Sequence, residues 1–290
     1  FYFNNKKKAK RYYDLLITVN GSFEESVRLL KKAKPKAIVF ANDHLIIARS
    51  MLLAANHLGI KTYYVQHASV SDYFPPLEFS HALLEGMDSK LKYEKCGEVK
   101  SKIHLCGMSK FDEFSEQLNV KKKVEVVGLA FNLLDAIEDI FKFVSQLIEE
   151  NSNLKILLRA HPGDNRNMDL LKNFTFSNSK TEPAFTFLSR IDCLISGESS
   201  IHIEAVLLDV YPLHFRFDKT IQFDYYGFVK NNLVEHFSNM SDLNKKLKDL
   251  QVLKPKVQQR AIPYNAAIGS EFYGSSSEKI ANIILDTINN

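Results

Sequence analysis

Along most of the chain, short apolar runs alternate with amphipathic stretches of helical period. Positions 14–19 (DLLITV) read as a strand. Positions 22–34 (SFEESVRLLKKAK) read as a helix with Ser22 at its N-cap and Glu25 three residues on, the capping-box spacing. Strands follow at 36–42, 61–68, 81–86 and 102–107, with helices at 43–59, closed by Gly59, and at 89–97. Beyond the lysine run 121–123 the alternation restarts. Strands are expected at 124–131, 154–161, 174–178, 192–197 and 211–217, and helices at 133–151, 168–173, 183–191, 199–209, 240–250 and 276–288. Strand–helix alternation of this kind predicts βαβ units and parallel sheets with right-handed crossovers.

The fold class expected is therefore α/β, with two Rossmann-like domains, 1–122 and 123–290, facing each other across a cleft. A chain of 290 residues suits two such domains.

Composition narrows the setting. With 45% hydrophobic and 25% charged residues the chain reads as globular, and it has neither an apolar stretch of the roughly 18–20 residues a membrane span needs nor a signal-peptide pattern. The expectation is a cytoplasmic protein in which Cys96, Cys106 and Cys193 are reduced structural thiols. A net charge of +4 is too small to imply nucleic-acid binding. The lysines cluster at 4–11, 121–123 and 245–256. Such runs are ordinarily solvated faces, and the further readings are peripheral attraction to an anionic membrane surface or attraction to a negatively charged substrate. The sequence opens on Phe1 in mid-pattern, so an N-terminal domain lacking its first units is expected.

In open parallel sheets, ligands bind at the carboxyl ends of the strands. The unusual clusters fall there: 41–43 (AND), 65–72 (VQHASVSD), 128–132 (GLAFN), 159–164 (RAHPGD) and 196–200 (SGESS). In the last, Gly197 permits a tight turn, and Ser199 and Ser200 open a helix whose hydroxyls and unpaired N–H groups suit a phosphate; the plainer reading is a helix cap and nothing more. Glu204, four or five residues into that helix, shares the ligand side of its first turn or is a solvated or locally paired glutamate. In RAHPGD, Pro162 biases His161 toward an extended backbone, so the imidazole is held stiffly, either to donate to a phosphate or to close a turn. Arg159 is a second cation for the same anion or an ion-pair partner within the sheet. The aromatic segment 222–232 reads as a nucleobase or sugar wall, or as a packing loop. Neither a Walker loop nor GxGxxG is present.

A His-Pro after one strand and a Ser-Ser opening the helix after a later one, in the second of two Rossmann-like halves, resembles the GT-B glycosyltransferases that use CMP-activated sugars. These are bacterial sialyltransferases, polysialyltransferases and capsule Kdo transferases, with the related CDP-glycerol polymerases. In the first half, 63–76 (YYVQHASVSDYFPP) and 105–114 (LCGMSKFDEF) are similar to segments of such transferases. The chain departs from the polysialyltransferase acidic-acidic-Gly motif at 83–88 (LLEGMD), one acid short, and from the Asp-Tyr-Ser-Ser of CDP-glycerol polymerases at Gly197, Glu198, Ser199 and Ser200.

The resemblance implies transfer of a sugar, most readily from CMP-sialic acid or a similar CMP-sugar, to a glycan acceptor in bacterial surface polysaccharide synthesis. His161, Pro162, Ser199 and Ser200 would hold the donor phosphate, with Arg159, Glu204 and Asn132 beside them. No cofactor is expected and, without a DxD motif or metal-ligand cluster, no metal. A base from the first half would take the acceptor proton: His67 first, then Asp43, Glu85 and Asp72. The final helix is expected to cross back onto the first domain. The competing readings are a CDP-glycerol or CDP-ribitol phosphotransferase, a UDP-GlcNAc 2-epimerase-like isomerase, which shares the His-Pro but opens the later helix on a Gly-rich acidic segment, and a non-catalytic nucleotide- or glycan-binding subunit.

Overall fold

The computed structural model describes residues 11–42, 44–217, 220 and 222–289. Asp43 and positions 4–10 of the first basic cluster lie outside them. The chain forms two compact units, residues 1–108 with 265–290, and residues 109–264.

The first unit contains α1 (Tyr13–Ala33), β1 (Ala37–Phe40), α2 (Ile46–His57), β2 (Lys61–Val65), β3 (His81–Leu84), α3 (Met87–Cys96), β4 (Lys102–Leu105) and, from the chain's end, α8 (Ser276–Asn289). Its sheet is parallel throughout, in the order β1-β2-β3-β4. The pleat sends neighbouring residues to opposite faces. Tyr64 and Leu84 join Leu52, Phe79 and Tyr93 in one core, while Tyr63 and Leu83 pack with Cys106 under Ile280, Ile283 and Ile284 of α8.

The strand expected at 14–19 is instead the first half of α1. Leu15, Ile17 and Val19 are exposed, so no sheet face exists for them to bury. Gly21 has open space around it, and helix runs straight through Asn20, Gly21 and Ser22 until Lys34, at φ 48°, ends it. Ser22 is accordingly no N-cap; its carbonyl accepts from Ser26 Oγ at 2.6 Å. What anchors α1 is the row Phe23, Val27 and Leu30, which packs with Ala54 and Ala55 of α2.

The second unit contains β5 (Val126–Phe131), α4 (Ile137–Glu150), β6 (Lys155–Ala160), α5 (Ala184–Leu188), β7 (Cys193–Ser196), α6 (Ile201–Leu207), β8 (Tyr211–Phe215), β9 (Glu235–Phe237) and α7 (Met240–Val252). Its parallel sheet runs β6-β5-β7-β8-β9. The strand expected at 174–178 shrinks to one bridge between Leu158 and Phe176, and β9 extends the far edge unannounced by any apolar run.

The division falls at 108/109, ahead of the lysine run. Residues 109–123 pack within the second unit: Phe114 stacks on Phe185 at 5.0 Å, and the Asn119 amide donates to Leu208 O at 2.7 Å. At the division Gly107 takes φ +91°, and a Cβ there would lie 2.5 Å from Ser276 Oγ and 2.6 Å from Ala267 Cβ. Only glycine fits both the conformation and the space.

The three cysteines are free; burial pushes the Cys106 thiol up to about 11 and Cys193 higher still. Among the described residues no helix is long and apolar enough to cross a membrane, and no group of three or more His, Cys, Asp or Glu side chains is placed to hold a metal ion.

Candidate functional site

Three neighbouring strands of the second sheet, β6, β5 and β7, end at one place. There Asn132, Arg159, His161, Pro162, Ser199, Ser200 and Glu204 line a single cavity of about 230 Å³. All seven residues expected on the donor side are thus brought together, from three segments far apart in sequence.

His161 follows β6 directly and is exposed. Its Nδ1 accepts from the Gly163 amide at 3.1 Å, so a neutral ring carries its proton on Nε2 and presents a donor. The turn is held from behind. Arg166 grips Asp164 through Nε and Nη2, and its fork also donates to Asp135 O at 2.6 Å and Asn132 O at 3.0 Å. One guanidinium therefore locks the loop after β6 to the loop after β5, and its hydrogen bond holds the Asp164 carboxyl below the usual range. Asn132 is fixed further by its amide donating to Asp135 Oδ2 at 2.8 Å and by its own Oδ1 accepting from the Leu134 amide at 2.7 Å.

Arg159 lines the cavity, but its guanidinium is committed inside the fold. It is buried and donates to Ser177 Oγ and Glu182 O, each at 2.7 Å, while lying over the Phe187 ring. Its hydrogen-bond partners are a hydroxyl and a carbonyl rather than the carboxylate of an ion pair, and burial pushes its pKa down. Lys110, which no motif singled out, pairs instead with Glu204, so an ammonium sits beside the cavity's one lining carboxylate.

Ser199 Oγ accepts from the Ile201 amide at 3.4 Å, while Ser200 stands at the N-cap of α6 without a side-chain capping bond. Glu198, beside them, has a different task. Its carboxylate accepts from the amides of Asp224 and Tyr225 at 2.6 and 3.1 Å and lies 3.2 Å from His214 Nε2. Burial works against its charge, but the neighbouring His214 ring and those amides outweigh burial and hold the carboxyl below its usual range. In the aromatic segment that Glu198 secures, Phe228 is buried between Tyr226 and Tyr264, while Phe223 is exposed. Behind the turn, buried His202 donates from Nε2 to Gly197 O at 3.0 Å, and desolvation pushes its pKa down to about 3.

The first unit's candidates stand at the carboxyl edge of its own sheet. His67 is exposed just beyond β2. Glu85 is buried after β3 and tied to Gln66: its amide donates to Gln66 Oε1 at 2.9 Å, and Gln66 Nε2 reaches Glu85 Oε2 at 3.2 Å and Ser89 Oγ at 2.8 Å. Asp72 is exposed and paired with Lys95 at 3.4 Å. Asp88, not anticipated, forms a buried pair with Lys92 at 2.6 Å, and desolvation raises its pKa against the pull of that ammonium.

Arg166 and Asp164 were within reach of the sequence, since an acid and an arginine two apart after His-Pro-Gly suit a closed turn. Lys110 carried no such signal, because its pairing with Glu204 spans 94 positions.

The fold is that of known GT-B enzymes. A structure of Staphylococcus aureus MnaA with UDP matches with a TM-score of 0.61 at 14% identity, covering 93% of this chain and 79% of that one. The Neisseria meningitidis UDP-GlcNAc 2-epimerase bound to UDP-GlcNAc matches with a TM-score of 0.62 at 15% identity, covering 93% and 81%. The wall teichoic acid polymerase TagF, soaked with CDPG, matches with a TM-score of 0.55 at 15% identity, covering 79% and 68%. No protein-family model and no curated protein matches the sequence.

Proposed function

We propose that the chain is a nucleotide-sugar-type enzyme whose second unit binds the phosphates of an activated donor in the cavity around His161, Ser199 and Ser200. The observation that carries this reading is the convergence of seven polar-edge residues on one cavity, with His161 offering Nε2–H from a turn locked by Arg166. A preorganised donor stabilises a departing phosphate because it needs no reorganisation as charge develops.

The reaction read here is transfer. With a sugar donor the acceptor oxygen bonds to the anomeric carbon as the bond from that carbon to the nucleotide phosphate breaks; with CDP-glycerol it bonds to the glycerol-bearing phosphorus as the phosphoanhydride breaks and CMP leaves. In either case the departing nucleotide phosphate is held by His161 and the two serine hydroxyls, and a base takes the acceptor hydroxyl's proton. His67 is the proposed base, since Glu85 is buried in its pairing with Gln66. The glycan acceptor and the place in surface polysaccharide synthesis rest on the sequence resemblance. The solved structures with this fold hold UDP, UDP-GlcNAc and CDPG, so uridine and cytidine nucleotides are the first donors to test. A CMP-sialic acid donor draws no support from those structures and is one arm of the same screen. A second reading, 2-epimerisation, is favoured by the epimerases' coverage of 93% of the chain.

The test incubates the full chain with UDP-GlcNAc, CDP-glycerol and CMP-sialic acid plus acceptor, following nucleotide release. Transfer predicts release with one donor, reduced on the order of a hundredfold in His161→Ala. Epimer formation without net release establishes the second reading, and absence of binding by any nucleotide overturns both.

A further inference from the structure

Two of the lysine clusters in the sequence meet in space, at the edge of the second sheet opposite the candidate donor cavity. The Lys254 amide donates to Lys122 O at 2.7 Å, and the Val124 amide to Leu250 O at 3.0 Å, zipping segment 250–256 against the entry to β5. Between them lies a cavity of about 370 Å³, larger than the donor-side one, whose lining includes Lys121, Lys122, Lys254, Lys256, Asn119 and Gln259. It adjoins the amino ends of β5, β7 and β8, whereas His161 and Ser199 stand at carboxyl ends; strands of four to six residues separate the two edges by roughly 13–20 Å.

The charges there do not cancel. Buried Lys254 donates to Asp209 O at 2.7 Å and Asn119 O at 3.4 Å, and desolvation pushes its pKa down against the opposing charges of Asp209 and Asp192. Lys121 pairs with Glu125 and Asp192. Asp209, the one acid in the lining, spends Oδ1 on the amides of Val257 and Gln258. Lys122 and Lys256 are exposed and have no ion-pair partner among the described residues. Lys122 and Lys256, neither ion-paired, thus line a concave space together with the buried Lys254.

We infer that this cavity is a second anion site, taking a compact ligand of at least two negative charges, of the diphosphate class. Concavity suits a discrete oxyanion rather than a flat lipid surface, and two lysines without an ion-pair partner call for a dianion or more.

The test titrates inorganic pyrophosphate into the full chain by calorimetry at low salt, using the wild type, His161→Ala, and Lys122→Gln combined with Lys256→Gln. The inference expects His161→Ala to retain a pyrophosphate-binding event. The double lysine variant, altered only at exposed side chains and unchanged in thermal midpoint, should weaken that event at least tenfold. Wild-type-like binding by the double variant, loss of all binding in His161→Ala, or no binding at all overturns it. So does binding to anionic phosphatidylglycerol vesicles that the double variant loses while pyrophosphate never binds, since the lysines would then form a membrane-facing patch.

Discussion

The carboxyl edges of the two sheets carry similar inventories of polar residues and use them in opposite ways. On the first, the acids are consumed by the protein: Glu85 by Gln66, Asp88 by Lys92, Asp72 by Lys95. On the second, Arg159 and Glu204 of the lining are also spent, on Ser177 with Glu182 O and on Lys110, but Arg166 and Asp164 stand behind the lining and brace the turn that carries His161, beside a serine at an unbonded cap. A polar edge is thus a better site candidate when some of its internal pairs explain how its lining residues are aimed than when every acid on it is spent in a pair.

The largest expected effect is on pH-dependent stability, and the two edges should differ in sign. His202 has a folded-state pKa below its unfolded one, so its contribution is present above the unfolded value, near 6.5, and is lost as pH falls toward about 3. The slope is about 1.4 kcal/mol per pH unit for one proton. Asp88, raised by burial, contributes below its unfolded value and loses that contribution as pH rises through its folded one. Urea denaturation from pH 4 to 7 should show His202→Asn flattening the acid loss and Asp88→Asn leaving that loss in place; the reverse would contradict the assignment.

Next in size is Glu85→Ala, which strands Gln66 in the core and should lower stability by about 1–3 kcal/mol. A wild-type denaturation midpoint would show that edge to be less committed than its geometry implies. Arg166→Met should cost less in stability but uncouple the loops after β5 and β6, raising nucleotide dissociation constants by roughly tenfold. The smallest stability change, within about 0.5 kcal/mol, is expected for Ser200→Ala, whose hydroxyl makes no capping bond; its effect should appear in nucleotide affinity alone.

Much of the second unit was legible in the sequence because local signals sufficed. Pro162 after His161 and the paired serines after Gly197 mark strand ends by backbone chemistry, and the sheet then gathers them. Segment 14–19 was misread because Asn20-Gly21-Ser22 imitates a turn, whereas a helix tolerates Gly21 at modest cost where neither packing nor a proline opposes it. The three-residue β9 is too short to show a period. Arg159 illustrates a different limit: its residue type announced a cation, but its partners, Ser177 and Glu182 O, come from a connection whose path no local pattern fixes. The Lys110–Glu204 pair was hidden for the same reason.

The most direct measurement is nucleotide binding by the intact chain, comparing wild type with His161→Ala and Glu85→Gln by calorimetry with UDP, CDP and CMP. The account predicts that one of these nucleotides binds the wild type, that His161→Ala weakens it at least tenfold without lowering the thermal midpoint, and that Glu85→Gln lowers the midpoint with affinity unchanged. Nucleotide affinity that is indifferent to His161 but lost with Glu85 would place the site on the other edge and contradict it.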